Sequence, residues 1–300
     1  MNLINLPKTL TPIASIIAIL IFCADVSGQD DLLSELQQSK KPEKEYTSAS
    51  FKGTRVVNGH SIETKRSGEL EFIISHRFGR INSGAYNLWG LDDAFIRIGL
   101  EYGVTDKLGI GVGRSSFNKI FDGYLKYKVL QQSSGPGSFP FTLTAFVSTN
   151  IQTVPKADTD PSIDFADRVT GNYQLLVARK INPQLTIQIS PTLVHINTVD
   201  GSVADNDQFA LGISGRQKIT KSVSLNAEYF LRLNRHENTP YYNSLGLGID
   251  IETGGHVFQL IFSNSQGVIE RTLVTETAGQ FFDGDIHFGF NITRTFQLKK

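Results

Sequence analysis

The chain has 300 residues, with 29 basic and 29 acidic side chains, so its formal charge is zero. That balance leaves no basic field for nucleic acid and no acidic excess for a basic ligand. Apolar residues make up 40% and no internal run reaches the length of a spanning helix, a composition shared by barrels whose strands face lipid on one side and a wet lumen on the other.

Residues 1–28 read as a signal peptide. Lys8 precedes an apolar run from Ile13 to Phe22 that is too short to span, and Val26 and Gly28 put small residues before a cut at Gln29. Cys23 raises a lipoprotein alternative, but that cleavage wants a small residue where Phe22 stands. After cleavage before Gln29 no cysteine remains, so the mature chain needs no disulfide in an oxidising compartment. Residues 29–50, centred on Lys40-Lys41-Pro42-Glu43-Lys44-Glu45, read as a flexible periplasmic tail. A short helix over Asp30–Gln38 is the other reading. Thr54 to Thr64 holds Val56-Val57 and Ile62, a weak strand left outside the count.

From Gly68 the alternation becomes regular. Leu70, Phe72, Ile74, His76 and Phe78 share one face, against Glu69, Glu71, Ser75 and Arg77 on the other. Ile96, Ile98 and Leu100 oppose Arg97, Gly99 and Glu101; Ile110 and Val112 oppose Gly109, Gly111 and Gly113. A less clean strand spans Asp122 to Leu130, with Tyr124, Lys126 and Lys128 on one face. Three more strands follow, from Phe141, Val169 and Leu185. Phe209 to Leu233 is a two-arm hairpin about a turn at Thr220-Lys221-Ser222, each arm about 10 residues, enough for a tilted strand to cross a bilayer. Strands around Leu247, Leu260 and Phe288 complete the run. The count is about 12, an even number as single-chain outer-membrane barrels require.

Short turns and long loops alternate along the chain, although the Ser133–Ser138 turn is somewhat long for its class and the Ser115–Ile120 loop somewhat short. Val104–Lys107, Asn182–Gln184, Thr220–Ser222 and Thr253–Gly255 are tight, whereas Arg80–Asp92, Thr153–Ile163, Asn197–Asn206, Asn234–Tyr242 and Asn264–Asp283 are long. Short turns on the periplasmic rim and long loops outside is the outer-membrane pattern. The expected fold is therefore a closed, all-β antiparallel transmembrane barrel over residues 51–300, with both termini on the periplasmic side.

The stretch from Asn291 to Leu298 partly resembles the C-terminal signal read by the outer-membrane barrel assembly machinery, although Thr293 replaces its glycine and Lys299-Lys300 run past its usual end. Phe51-Lys-Gly-Thr-Arg55, Ser75-His-Arg-Phe-Gly-Arg80, Gly113-Arg-Ser-Ser-Phe117 and the segment from Asp250 to Phe258 are similar to a family of Gram-negative outer-membrane β-barrel proteins of unknown function. The resemblance implies fold and location and brings no catalytic residues.

Candidate site residues come first from the inward face: Glu69, Glu71, Arg77, Arg97, Glu101, Lys126, Lys128, Lys180, Arg216, Glu228, Arg232, Asp250 and Glu252. Two readings stand, an aqueous path tuned by these charges or cross-lumen pairs that fill the interior. Tyr86 and Trp89, the latter the only tryptophan, mark a loop that either constricts the pore or packs at the rim. Acidic loop positions Asp92, Asp93, Asp158, Asp160, Asp164, Asp200, Asp205 and Asp207 could bridge divalent ions, but no EF-hand spacing appears. The face assignment separates His76 from His287, and His195 sits near a strand end on the lipid side. No Gly-x-Ser-x-Gly, His-Glu-x-x-His or cysteine cluster marks an enzyme, and Gly109-x-Gly111-x-Gly113 lacks dinucleotide spacing. No cofactor and no metal are expected. Expected partners are outer-membrane lipid and lipopolysaccharide, the assembly machinery, and a small hydrophilic solute. The leading expectation is a porin-like channel for that solute; the alternative is a non-conducting barrel acting as an anchor or docking platform.

Overall fold

Period-two alternation gives each strand one apolar and one polar face, which a transmembrane barrel satisfies by turning the first to lipid and the second to the lumen. The computed structural model, which describes residues 43–154 and 164–299, has that arrangement. Twelve strands run β1 Glu69–Arg80, β2 Ala94–Gly103, β3 Leu108–Ser115, β4 Ile120–Leu130, β5 Thr142–Gln152 and β6 Val169–Lys180, then β7 Leu185–Ile196, β8 Asp207–Lys218, β9 Val223–Arg232, β10 Ser244–Thr253, β11 His256–Ser263 and β12 His287–Gln297. Each pairs antiparallel with its sequence neighbours, and β12 pairs with β1 to close the barrel. A bulge between His287 and Gly289 adjusts that closing seam. Outside it, His76 stacks on Phe290 at 4.9 Å and Phe78 on Phe288 at 5.8 Å.

The outer wall is apolar. Val112, Leu125, Leu225 and Leu247 are 59%, 53%, 45% and 43% exposed, which is tenable only against hydrocarbon. Among the described residues no helix is long and apolar enough to cross a membrane; the strands make the crossing. Glu71, Arg77, Arg97, Glu101, Lys126, Arg216 and Glu228 are buried on the other face.

Glycine on the inner wall makes room for large neighbours. A Cβ on Gly111 would stand 2.1 Å from the Tyr124 ring, and one on Gly113 would stand 2.3 Å from the Arg97 guanidinium. The three-glycine run of β3 is thus the floor beneath two bulky inward side chains.

The segment ahead of β1 departs most from the sequence reading. Glu45–Tyr46 pairs with Ser133–Ser134 on the short-turn rim, so this end of the expected flexible tail lies against the barrel. Residues 51–66 then enter the lumen as a re-entrant hairpin and return to the rim, where Ser67 N–H donates to Asp106 at 2.9 Å. Thr54–Thr64, left outside the strand count, does not join the wall: it fills the space the wall encloses, held together by an Arg55–His60 bridge. The signal peptide, residues 29–42, and Asp158 and Asp160 lie outside the described residues.

Candidate functional site: a lumen closed from both rims

Two apolar residues on one arm, Val56 and Val57, and Ile62 on the other are fully or almost fully buried. With Phe51 they pack into a cluster with Tyr124, Phe146, Leu176, Ala178 and Ile261. The last five sit at inward positions of the wall, where strict alternation would place polar side chains. An apolar group there would face water in an open pore; here the five close with the hairpin's apolar residues into one buried cluster, and the Tyr124 and Phe146 rings lie against His60 at 4.7 and 4.3 Å. Burying Phe51, Val56, Val57 and Ile62 is worth roughly 1.5–3 kcal/mol apiece before the cost of ordering the segment.

The hairpin makes few hydrogen bonds to itself, among them Val56 N–H to the Gly59 carbonyl and Ser61 N–H to the Thr54 carbonyl. The wall satisfies much of the rest of its main chain. Glu228 accepts three successive amides, from Val57, Asn58 and Gly59, at 3.2, 2.8 and 3.0 Å. Gln188 accepts from Ile62 N–H at 3.0 Å and donates to the His60 carbonyl at 2.8 Å. Gln259 and Asn291 donate to the Val56 and Val57 carbonyls. Lys126 donates to the carbonyls of Thr54 and Glu63. Just ahead of the hairpin, Arg216 donates to the carbonyls of Ala49 and Ser50.

The inward charges thus meet the hairpin, one another or polar side chains of the wall. Glu71 pairs with Lys65 and accepts from the Thr54 hydroxyl at 2.8 Å. Arg77 donates to Asn58 Oδ1 at 2.7 Å and to Asn291 at 3.1 Å. Glu101 accepts from the Tyr124 hydroxyl at 2.8 Å and stands 3.9 Å from Lys126. Lys128 lies 3.9 Å from Glu63. Arg232 donates to Gln208, and Asp250 accepts from Gln259. Arg97 donates to Asp122 at 2.9 Å; Asp122, on β4, is a further buried inward acid beyond those expected from the sequence. Glu69, Lys180 and Glu252 sit instead at the short-turn mouth, where Glu252 pairs with Lys52 and Lys180 donates to the Ser48 carbonyl.

The opposite rim closes through the loop between β11 and β12. Val268, Ile269, Leu273 and Val274 are buried, and Leu273 and Val274 pack with Val194, Ile196, Ala210 and Phe230 of the inner wall. The two re-entrant segments meet. Arg55 donates to the Val268 carbonyl at 2.9 Å and His60 Nε2 stands 3.4 Å from Glu270, while Asn58 donates at 3.1 Å to Oγ of Ser263, the last residue of β11. Between hairpin and wall a cavity of about 20 Å³ remains beside Gly53, Thr54, Arg55, Asp250, Gln259 and Asn291, about room for one water.

Tyr86 and Trp89 do not reach this constriction. They are 96% and 57% exposed on the long-loop rim. Next to them the surface loop is clasped at its base: Asp285 accepts from Arg80 at 3.1 Å and Asn82 at 3.0 Å. The Asn82 amide, followed by the Gln280 N–H and the Arg80 charge, holds the Asp285 carboxyl below the usual carboxylate range. His76 is outward and His287 inward, bonded to the Phe78 carbonyl. His195 pairs across strands with Asp207 at 2.6 Å, and His236 with Asp205 at 3.0 Å. Among the described residues no three His, Cys, Asp or Glu side chains converge to hold a metal.

A sequence signal for the hairpin existed. Asn58-Gly59 between Val56-Val57 and Ile62 is a turn dipeptide between apolar arms. The inward Phe146, Leu176 and Ile261 break the alternation where the hairpin docks.

Solved structures with similar architecture include the NanC porin (8% identity, covering 77% of this chain and 100% of that one, TM-score 0.47). The COG4313 outer membrane channel from Pseudomonas putida F1 is 12% identical, covers 78% and 98%, and scores 0.45. The Acinetobacter baumannii outer membrane protein Omp33 is 10% identical, covers 76% and 98%, and scores 0.40. No curated protein matches the sequence. The family model described as "Membrane bound beta barrel domain (DUF5777)" matches residues 51–296. A closed twelve-strand outer-membrane barrel, matched by this model over most of its length, the chain belongs to that membrane-bound β-barrel family.

Proposed function

We propose that this protein is a non-conducting outer-membrane barrel that serves as a docking platform. It presents its N-terminal arm at the periplasmic rim and its long loops at the surface. One observation carries the reading: the lumen is occupied from both rims, by residues 51–66 and by the loop through Leu273, and the inner wall supplies apolar sockets that make sense only when filled. Full-length folded protein reconstituted in planar bilayers should give no discrete current steps, and a variant lacking residues 51–63 should conduct. Regular openings from the unaltered chain would remove the reading.

A second reading is supported by the chemistry of the hairpin's attachment. Much of it is hydrogen bonding from polar wall groups such as Glu228, Gln188 and Lys126, which water can replace. Withdrawal of the hairpin would leave a hydrated wall of balanced charge, the path expected for a small hydrophilic solute with little preference for ion sign. Voltage- or ligand-dependent openings of the full chain, abolished by a disulfide tying Ile62 to its neighbouring strand, would favour it.

A further inference from the structure

The hairpin enters from the short-turn rim and the surface loop from the other, and they share contacts near the middle of the barrel. We infer that the two form one coupled unit, so that the protein relays the state of its periplasmic hairpin to its surface loop across the outer membrane.

Four contacts carry this. Arg55 Nη1 donates both to the Asn58 carbonyl within the hairpin and to the Val268 carbonyl of the surface loop, at 2.5 and 2.9 Å. Asn58, whose main chain is held by Glu228 and whose Oδ1 is held by Arg77, reaches Ser263, the last residue of β11 and the anchor from which the surface loop leaves the wall. The Phe230 ring lies against Gly59, where a Cβ would stand 2.9 Å from Cζ, and the same ring belongs to the cluster containing Leu273 and Val274. His60 and Ser148 both stand beside Glu270, at 3.4 and 3.5 Å. Arg55, Asn58, His60, Ser148, Ser263 and Glu270 are polar and buried, so displacing the hairpin exchanges fixed neighbours of the surface loop for mobile water and frees the loop from its single arrangement. Packed interiors of this kind shift between discrete arrangements and do not deform smoothly.

Coupling between two sites is reciprocal, which gives the test two arms. Amide hydrogen exchange is read by mass spectrometry on the full chain in micelles. Replacing Val56–Ser61 with a Gly/Ser linker should speed exchange in residues 268–276 by about 5- to 150-fold, the span of ordinary allosteric coupling. Conversely Leu273→Ala, on the surface loop, should speed exchange of the Val57, Asn58 and Gly59 amides by a comparable factor. In both variants the amides of β6 and β7 should keep their protection, which separates relay from general unfolding. If each change stays within its own segment, the relay is wrong. If β6 and β7 loosen in step with both, the effect is loss of the barrel and the relay is equally overturned. The inference rests on the platform reading for its biological sense, but bilayer conductance tests that reading separately, so the two can fail independently.

Discussion

Glu228→Ala is the sharpest test of how the lumen is closed. Its carboxylate accepts three consecutive hairpin amides and is itself buried. Removing it leaves three buried N–H donors, each costing about 1–3 kcal/mol if nothing replaces the acceptor. Two effects reduce that sum: the vacated space admits water to one or two donors, and a buried carboxylate no longer has to be desolvated. The net loss of hairpin attachment should be about 2–4 kcal/mol, roughly 30- to 700-fold in the opening equilibrium by the relation of about 1.4 kcal/mol per factor of ten. Amide exchange of Val57, Asn58 and Gly59 reads that equilibrium directly. Glu228→Gln keeps an acceptor oxygen and should lose about a factor of ten. Exchange within threefold of the parent for Glu228→Ala, with those amides protected in the parent, would refute the claim that this carboxylate fastens the turn.

Three further outcomes follow from the same geometry. Ile62→Ala empties part of the apolar socket and should weaken hairpin attachment by about 2–5 kcal/mol, seen as new protease cleavage within residues 51–66. Leu225→Arg puts a charge on the lipid face at a position 45% exposed; refolding into bilayers should lose about 2–4 kcal/mol if the site lies near the midplane, whereas an outer wall in water would tolerate it. The Asp285 clasp should respond to acid. Its folded carboxyl titrates below the ordinary value of 3.8, with Asn82 the largest cause, so its contribution is present above about pH 3.8 and is lost as pH falls through the lower folded value. Exchange of residues 280–286 should rise over that window, and Asp285→Asn should flatten the response.

The strands were legible because each buries two unlike faces, and the alternation that records this is local. Arg77, Arg97, Glu101, Lys126 and Glu228 could therefore be assigned to the inside without a structure, and Leu225 and Leu247 to the outside. What those inward charges do was not legible. An Arg on an inward face has the same local pattern whether it meets water, another charge or a segment from elsewhere in the chain; only the fold brings Asn58 to Arg77, 19 residues away, and Gly59 to Glu228, 169 away. The hairpin itself was half visible, as Val56-Val57-Asn58-Gly59, but its apolar residues are too few to declare a strand and it pairs with side chains instead of a neighbouring strand. The apolar breaks at Phe146, Leu176 and Ile261 likewise gain meaning only from what packs on them. Sequence alone determined a lipid-crossing barrel of about 12 strands, because the periodicity that marks each strand is a local property of the chain. Whether that barrel is open or shut was decided by tertiary structure, because closure depends on contacts between residues far apart in sequence.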